Sequence, residues 1–471
     1  MSDLSSVVLG MGLEAFEDKP EPSDYQPEVV DTTELEVINK EAAAVNMEVD
    51  AQSKRIGQLT DARNYAESVR GSLSEVAATE LRRRVMDALG DEQSVRIVGS
   101  VESYNGPLAN DLLNAGLESI GSIIAKAIAT LIRLIRTGIS IFMRFITSAK
   151  IVLGSTAKNI SRLRDAVKKR ATWREDAISI TGADIAALRK QNQPAADMDM
   201  SAARSTGSDS MTLMQLRALC YAQHGGVMMP APFVPALRDT VSQYKTVVIP
   251  TMTGCRDYFG ALLSLIRDSV DMPDDAARFE ATNHLTADKF IPVDKFPLSR
   301  NDTEFSHALS SKQLLGNVIL NVTAPPSVLF KDYKRSETMA VGHGLGAFWA
   351  ELTIDDGLAA QAQLGGIVVK PLTKVEAEQA TAAVADLLDA VMDSELSDKA
   401  FKLGKEADEL AARILPRLSD GSGDIDSFKA AMVRAMSALS SLTNGLPRAS
   451  VSYVNRLSNS VGAYVEISAG L

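Results

Sequence analysis

Residues Gly116–Lys169 read GLESIGSIIAKAIATLIRLIRTGISIFMRFITSAKIVLGSTAKNISRLRDAVKK. Lys126, Thr130, Arg133, Thr137, Ser140 and Arg144 recur at steps of four, three, four, three and four. That spacing draws one narrow polar stripe along a helix. Apart from Arg136 and Gly138, nearly everything else from Ile123 to Ile146 is apolar, including Ile128, Leu131, Ile135, Phe142 and Phe145. A helix this apolar is either buried in protein or held at a membrane. Spanning a bilayer takes about 20 mostly apolar residues with few charges. Arg133 and Arg136 would sit near the centre of such a span, each costing roughly 2.5–3.5 kcal/mol against about 0.3–0.6 gained per large apolar residue. Burial as a core helix is therefore expected, against the C-terminal helices and with the Arg133–Arg144 stripe at the edge. The stretch reads as one long helix or two in tandem, with Gly154 marking a hinge.

Beyond Gly154 the pattern turns basic and amphipathic. Lys158, Arg162, Arg164, Lys168, Lys169 and Arg170 fall between Thr156 and Arg174. Such a patch suits nucleic acid or an acidic partner, while a solvated helix face is the plainer reading. The acidic counterpart lies at the other end of the chain. Residues 1–50 hold thirteen acids and only Lys19 and Lys40 as bases, so this segment carries the whole net charge of −11. Acidic tails stay solvated or serve as interaction segments.

The chain has 471 residues, enough for two or three domains, and 45% hydrophobic content typical of a globular protein. Two cysteines, Cys220 and Cys255, exclude a disulfide framework and a cysteine-built zinc site. The first residues lack a basic region followed by an apolar run, so no secretory signal is expected.

The expected fold is mainly α, with bundle-like helical regions and a small inserted β region. Residues 1–31, with Pro20, Pro22 and Pro27 among acids, should be disordered. A helical head follows over 32–118. Its first helix starts at Thr33 on a weak, Ala-rich seam (Ile38, Ala42, Val45, Val49, Ile56, Leu59) that needs a partner surface. Its second runs from Glu80 to Leu89 and stops at Gly90. Residues 91–118, with Asn105-Gly106-Pro107, read as a break. The apolar and basic helices occupy 119–190, and 191–212 is a polar linker. Helix resumes over 213–288, where Pro250 should kink or split it.

Between 289 and 371, Phe290–Val293, Val318–Val322, Ala350–Ile354 and Ile367–Val369 read as short strands. The C-terminal part, 372–471, opens with a capping box at Thr373 and Glu376. Four antiparallel helices should follow, with Pro416 ending the second, Gly445 and Pro447 ending the third, and the fourth spanning about 449–466.

No catalytic, cofactor or metal-binding residue emerges. His224, His284, His307 and His343 have no ligand spacing to one another or to cysteine. Cys220 and His224 are a chance pair by default. Gly342-His343-Gly344-Leu345-Gly346 lacks the Lys-Ser/Thr of a phosphate loop. Asp274-Asp275 and Asp355-Asp356 read as turn residues.

Three phrases carry a resemblance. They are Gly12-Leu13-Glu14-Ala15-Phe16 ahead of an acidic helical head, its echo Gly116-Leu117-Glu118-Ser119-Ile120 ahead of the apolar helix, and Leu372-Thr373-Lys374-Val375-Glu376 ahead of a bundle-like tail. In layout the chain resembles the internal head (inner-body) proteins of large tailed bacteriophages. The resemblance covers the first 170 residues and the last 100. It implies a non-enzymatic virion protein in the head interior, made in the host cytoplasm and binding other head proteins. It implies an N-terminal propeptide removed by a maturation protease after glutamate, with a small residue two positions earlier. Ala78-Thr79-Glu80, Ser100-Val101-Glu102 and Gly116-Leu117-Glu118 fit, making Glu80, Glu102 and Glu118 candidate processing sites. Glu102 and Glu118 are favoured because both fall in the expected break. Contact with packaged DNA would run through Lys158, Arg162, Lys168, Lys169 and Arg170. The alternative is a membrane-active or ejected effector using the amphipathic helix 119–153.

Overall fold

The structure is a computed structural model and describes residues 28, 30–70, 74–98, 109–175, 178–180, 233–269, 291–296, 298–302, 307–315, 318–324, 349–354, 367–395, 398–418 and 445–471. Over these residues the fold is mainly α with a small antiparallel β region.

Helix α1 (Thr33–Ser68) starts where Asp31 accepts the Thr33 backbone N–H at 2.9 Å. That bond satisfies one of the orphan donors of the first turn, and it holds the Asp31 carboxyl below its ordinary pKa. Leu35, Ile38, Ala42, Val49, Ile56, Leu59, Ala62 and Ala66 form its buried seam. Helix α2 (Glu75–Leu89) begins five residues before the expected Glu80, because Ser74 caps it by accepting the Ala77 N–H at 3.2 Å. Gly90, at φ +86°, ends it. Helix α3 (Asp91–Val98) follows at once, so the segment read as a break from residue 91 is helical at its start.

Helix α4 (Ala109–Lys169) is one element of 61 residues, about 90 Å long at 1.5 Å per residue. Two expectations are corrected here. The helix begins ten residues before residue 119, since Leu113, Gly116 and Ile120 extend its buried face toward the N-terminus. It also runs through Gly154 without a hinge. The apolar face continues across that position as Val152, Leu153, Ile160, Leu163 and Val167, and tertiary burial outweighs the roughly 1 kcal/mol that one glycine costs a helix.

Strand β1 (Ile178–Ile180) leads on to helix α5 (Phe233–Gln243) and, through a π-helical turn at Tyr244–Val248, to helix α6 (Ile249–Ser269). Pro250 does not split this segment. The π turn just ahead of it shifts the bonding so that the Ile249 N–H reaches the Tyr244 carbonyl. Such a local widening is where a helix absorbs an irregularity.

The run expected as a strand at Phe290–Val293 is irregular at Ile291 and Pro292 and ends in a 3₁₀ turn at Val293–Lys295, whose Lys295 N–H closes onto the Pro292 carbonyl at 2.9 Å; Phe290 lies outside the described residues. Strands β2 (Leu298–Asp302), β3 (His307–Ser310), β4 (Val318–Ala324) and β5 (Trp349–Ile354) form one antiparallel sheet in that order. β4 and β5 are the two runs expected from Val, Ile and Leu content. β2 and β3 are polar and were not legible. Strand β6 (Ile367–Val369) lies where expected but pairs with β1, register Ile178 opposite Val369, from the far side of the sequence.

Helix α7 (Lys374–Glu395) carries the capping box. Thr373 N–H and Oγ1 both donate to Glu376 Oε2, at 2.9 and 2.8 Å. Helix α8 (Asp398–Leu418) runs two residues past Pro416, and helix α9 (Leu446–Ala469) carries Pro447 in its first turn, where a missing N–H costs nothing. Pro447 therefore lies inside the start of a helix. The helix expected at 424–444 and the linker 191–212 lie outside the described residues. Among the described residues α7 and α9 pack on each other, and α7, α8 and α9 all pack on α4, as α1 does.

Candidate functional site: the central helix and its two sides

The site is α4 with what covers it. Its expected polar stripe is at the edge, with Lys126, Arg133, Thr137, Ser140 and Arg144 exposed and Thr130 half-buried; Arg136, off the stripe, is exposed too. Ile128, Leu131, Ile132, Ile135, Phe145 and Ile146 are buried, as the stripe predicts. The helix is also long and apolar enough to cross a membrane by length and composition.

The head lies antiparallel on α4. Arg70 donates to Asn114 at 2.8 Å near one end, Arg144 to Glu41 at 2.8 Å midway, and Arg162 to Glu28 at 2.8 Å near the other. Asn159 clamps the backbone of Glu28 on both sides: its Oδ1 accepts the Glu28 N–H at 3.1 Å and its Nδ2 donates to the Glu28 carbonyl at 2.7 Å. Glu28 therefore has a fixed place within the segment expected to be disordered, while residues 1–27 lie outside the described residues. The ion pairs are about half exposed (Arg162 49%, Glu28 54%), so solvent screens them. Arg136, outside the stripe, pairs α4 to α8 through Asp408 at 2.8 Å, and the bond to Asp408 raises the arginine's pKa.

The C-terminal side is held differently. Thr156 Oγ1 donates to Asn455 Oδ1 at 2.7 Å, buried between α4 and α9. Tyr244 and Ser450 share a buried hydrogen bond, and Tyr453 donates to the Leu315 carbonyl at 3.0 Å. The two tyrosine rings stack at 5.7 Å. Burial pushes the Tyr453 phenol well up, so it stays protonated and donating. Arg448 is buried in α9 and donates to the Asn39 carbonyl of α1 at 3.2 Å. Desolvation lowers its pKa to about 10, which leaves it charged at neutral pH. At the end of α4, Arg170 donates to the carbonyls of Ala469 and Gly470, and Lys374 Nζ to those of Lys168 and Arg170.

The basic residues at the end of α4 and just beyond it thus divide. Arg170 serves the C-terminus of α9 and Arg162 holds Glu28. Lys168 lies 3.7 Å from Asp165. Lys158, Arg164 and Lys169 are exposed, and no carboxylate among the described residues reaches them.

The three candidate processing sites are not equivalent. Glu80 sits in α2, gripped by Arg83 at 2.7 Å and Arg84 at 2.9 Å, and the bond to Arg83 chiefly lowers its pKa to about 2. Glu118 is exposed but lies inside α4, and Ser119 bonds back to the Ala115 carbonyl at 2.9 Å as a mid-helix serine does. It does not fall in a break between helices, which corrects the expectation. Glu102 lies outside the described residues, as do Cys220, His224, His284, His343 and Gly342–Gly346. His307 is in β3, and Cys255 is buried in α6. Among the described residues no group of three or more His, Cys, Asp or Glu could hold a metal ion.

The buried pins of α9 escaped sequence reasoning. Asn455 and Ser450 look like ordinary helix-surface residues until a partner helix is placed against them. No protein-family model matches the chain, and neither curated proteins nor solved structures yield a match.

Proposed function

We propose that this chain is a non-enzymatic structural protein of a bacteriophage virion, packaged in the head, with an acidic N-terminal head segment removed during assembly. The supporting observation is the way that segment is attached. It carries the whole net negative charge, and its described part lies along α4 on a seam of alanine, isoleucine, leucine and one valine, with half-exposed ion pairs at Glu28 and Glu41. Such a contact can be shed while the buried bonds of α9 keep the body together. Packaged DNA brings dense negative charge that repels an acidic segment, so losing it suits a protein that stays in the head. Other head proteins, the maturation protease and packaged DNA are the partners this reading needs, with host cytoplasm the place of assembly.

Glu102 is the favoured cleavage point, because cleavage after Glu118 requires unwinding the first turns of α4 and cleavage after Glu80 requires opening its arginine pairs. The test is the N-terminus of the protein from mature particles. A terminus following Glu80, Glu102 or Glu118 supports the reading; an intact Met1 or Ser2 terminus sinks it. The membrane-active alternative has one observation in its favour, the length and apolarity of α4. Liposome binding by the full chain separates the two.

A further inference from the structure

Helix α1 meets α4 along a seam whose two halves are unequal. From Leu35 to Ala66 the buried and half-buried positions of α1 recur at alternating steps of three and four, and α4 repeats that spacing from Leu113 to Val152. A period of about 3.5 residues on both helices makes the pair an antiparallel two-stranded coiled coil. On α4 every seam position from Ile120 to Phe145 is apolar or glycine. On α1 the row holds Gln52 and Arg63, and Ala42 and Ala66 bring little area to bury. A polar residue at such a position fixes register at a cost in stability.

Two further groups of α1 are worse placed. Asn39 Oδ1 and Arg55 Nε are sealed from solvent, and neither finds a hydrogen-bond partner among the described residues. Undocking returns both to water, so each favours the undocked state. The α9 side adds a third group of this kind. Arg448 is buried where it meets the Asn39 carbonyl, and desolvation lowers its pKa to about 10. A cation short of water regains it when α1 lifts. The polar groups that tie α9 to the body are placed otherwise: Asn455 is bonded to Thr156, and Ser450 to Tyr244.

We propose that α1 is a metastable strap: it lifts off α4 as one unit while α4, α7 and α9 stay packed, and Asn39, Arg55 and Arg448 set how often it does so. The inference concerns the intact chain and requires neither cleavage nor a virion.

The experiment follows amide hydrogen exchange of the full chain by mass spectrometry, for the parent and three variants. In the parent, α1 should exchange as a block, about tenfold or more faster than α9. Asn39→Leu/Arg55→Met removes both sealed polar atoms and should slow α1 about three- to tenfold, with α9 unchanged. Arg448→Met reaches the same end from the other side of the contact and should also slow α1. Leu59→Ala thins the seam and should speed α1 about tenfold or more, again with α9 unchanged. One common exchange rate for α1 and α9 in the parent, or equal acceleration of both by Leu59→Ala, would overturn the strap, since the two would then open together. Unchanged or faster exchange of α1 in the double variant would overturn the role of Asn39 and Arg55, and in Arg448→Met that of Arg448. None of these outcomes alters the N-terminus found in particles, so the two proposals fail separately.

Discussion

The two sides of α4 are joined by different chemistry. On the head side, α1 presents Ile38, Ala42, Val49, Ile56 and Ala62, and its polar links at Glu28, Glu41 and Arg70 are exposed. On the C-terminal side, α9 presents Tyr453, Val454, Leu457, Val461 and Val465, and its polar links at Ser450 and Asn455 are buried. Exposed charge pairs contribute about 0–1 kcal/mol each. A buried hydrogen bond that loses one partner leaves the other unsatisfied, at about 1–3 kcal/mol. The head side is linked by exposed polar groups and the C-terminal side by buried ones. Arg448 is the exception, a buried link from α9 to the Asn39 carbonyl of α1.

The comparison breaks most readily at the centre. Ile135 is 1% exposed, and Ile135→Asp should cost several kcal/mol, because it buries an unpaired charge. Unchanged thermal stability of that variant would mean that α4 is not the core. Next comes the α9 side: Asn455→Ala should cost about 1 kcal/mol, since it removes the buried bond between helices while the Thr156 hydroxyl falls back on the Val152 carbonyl at 3.0 Å, measured by urea denaturation. A loss below that of the head variants would erase the contrast. On the head side, Glu41→Gln should change stability by less than about 1 kcal/mol, with any effect shrinking as salt is added. Amide exchange should likewise report lower protection along α1 than along α9. The smallest effect is the titration of Glu80. Its folded pKa of about 2 lies below the ordinary 4.5, so its contribution is present above that ordinary value and fades as pH falls toward 2. A carboxyl NMR titration with a midpoint near 4.5 would show that the Arg83 and Arg84 pairs do not form.

Much of the fold was legible because its signals are local. The stripe from Lys126 to Arg144 marks a helix whatever surrounds it, and the Thr373–Glu376 box closes within one turn. Runs such as Val318–Val322 and Ile367–Val369 announce strands by side-chain type alone. The candidate site was half legible. Its charges could be counted from the sequence, but not paired: nothing local links Glu28 to Arg162 or Asn159, which stand more than a hundred residues away.

The sequence by itself determined where the helices of the body lie, which face of α4 is apolar, and that the negative charge belongs to the head. Those properties depend on neighbours three or four residues apart, or on composition. Only the tertiary structure decided that α4 is unbroken at Gly154, that a π turn carries the chain past Pro250, that Pro447 lies inside the start of a helix, and that β6 pairs with β1. Each of these has a local cost or ambiguity that contacts from distant residues resolve. The same holds for Glu118: its short motif reads as a cleavage site, but Leu113, Gly116 and Ile120 packed against neighbouring helices make it part of the core helix.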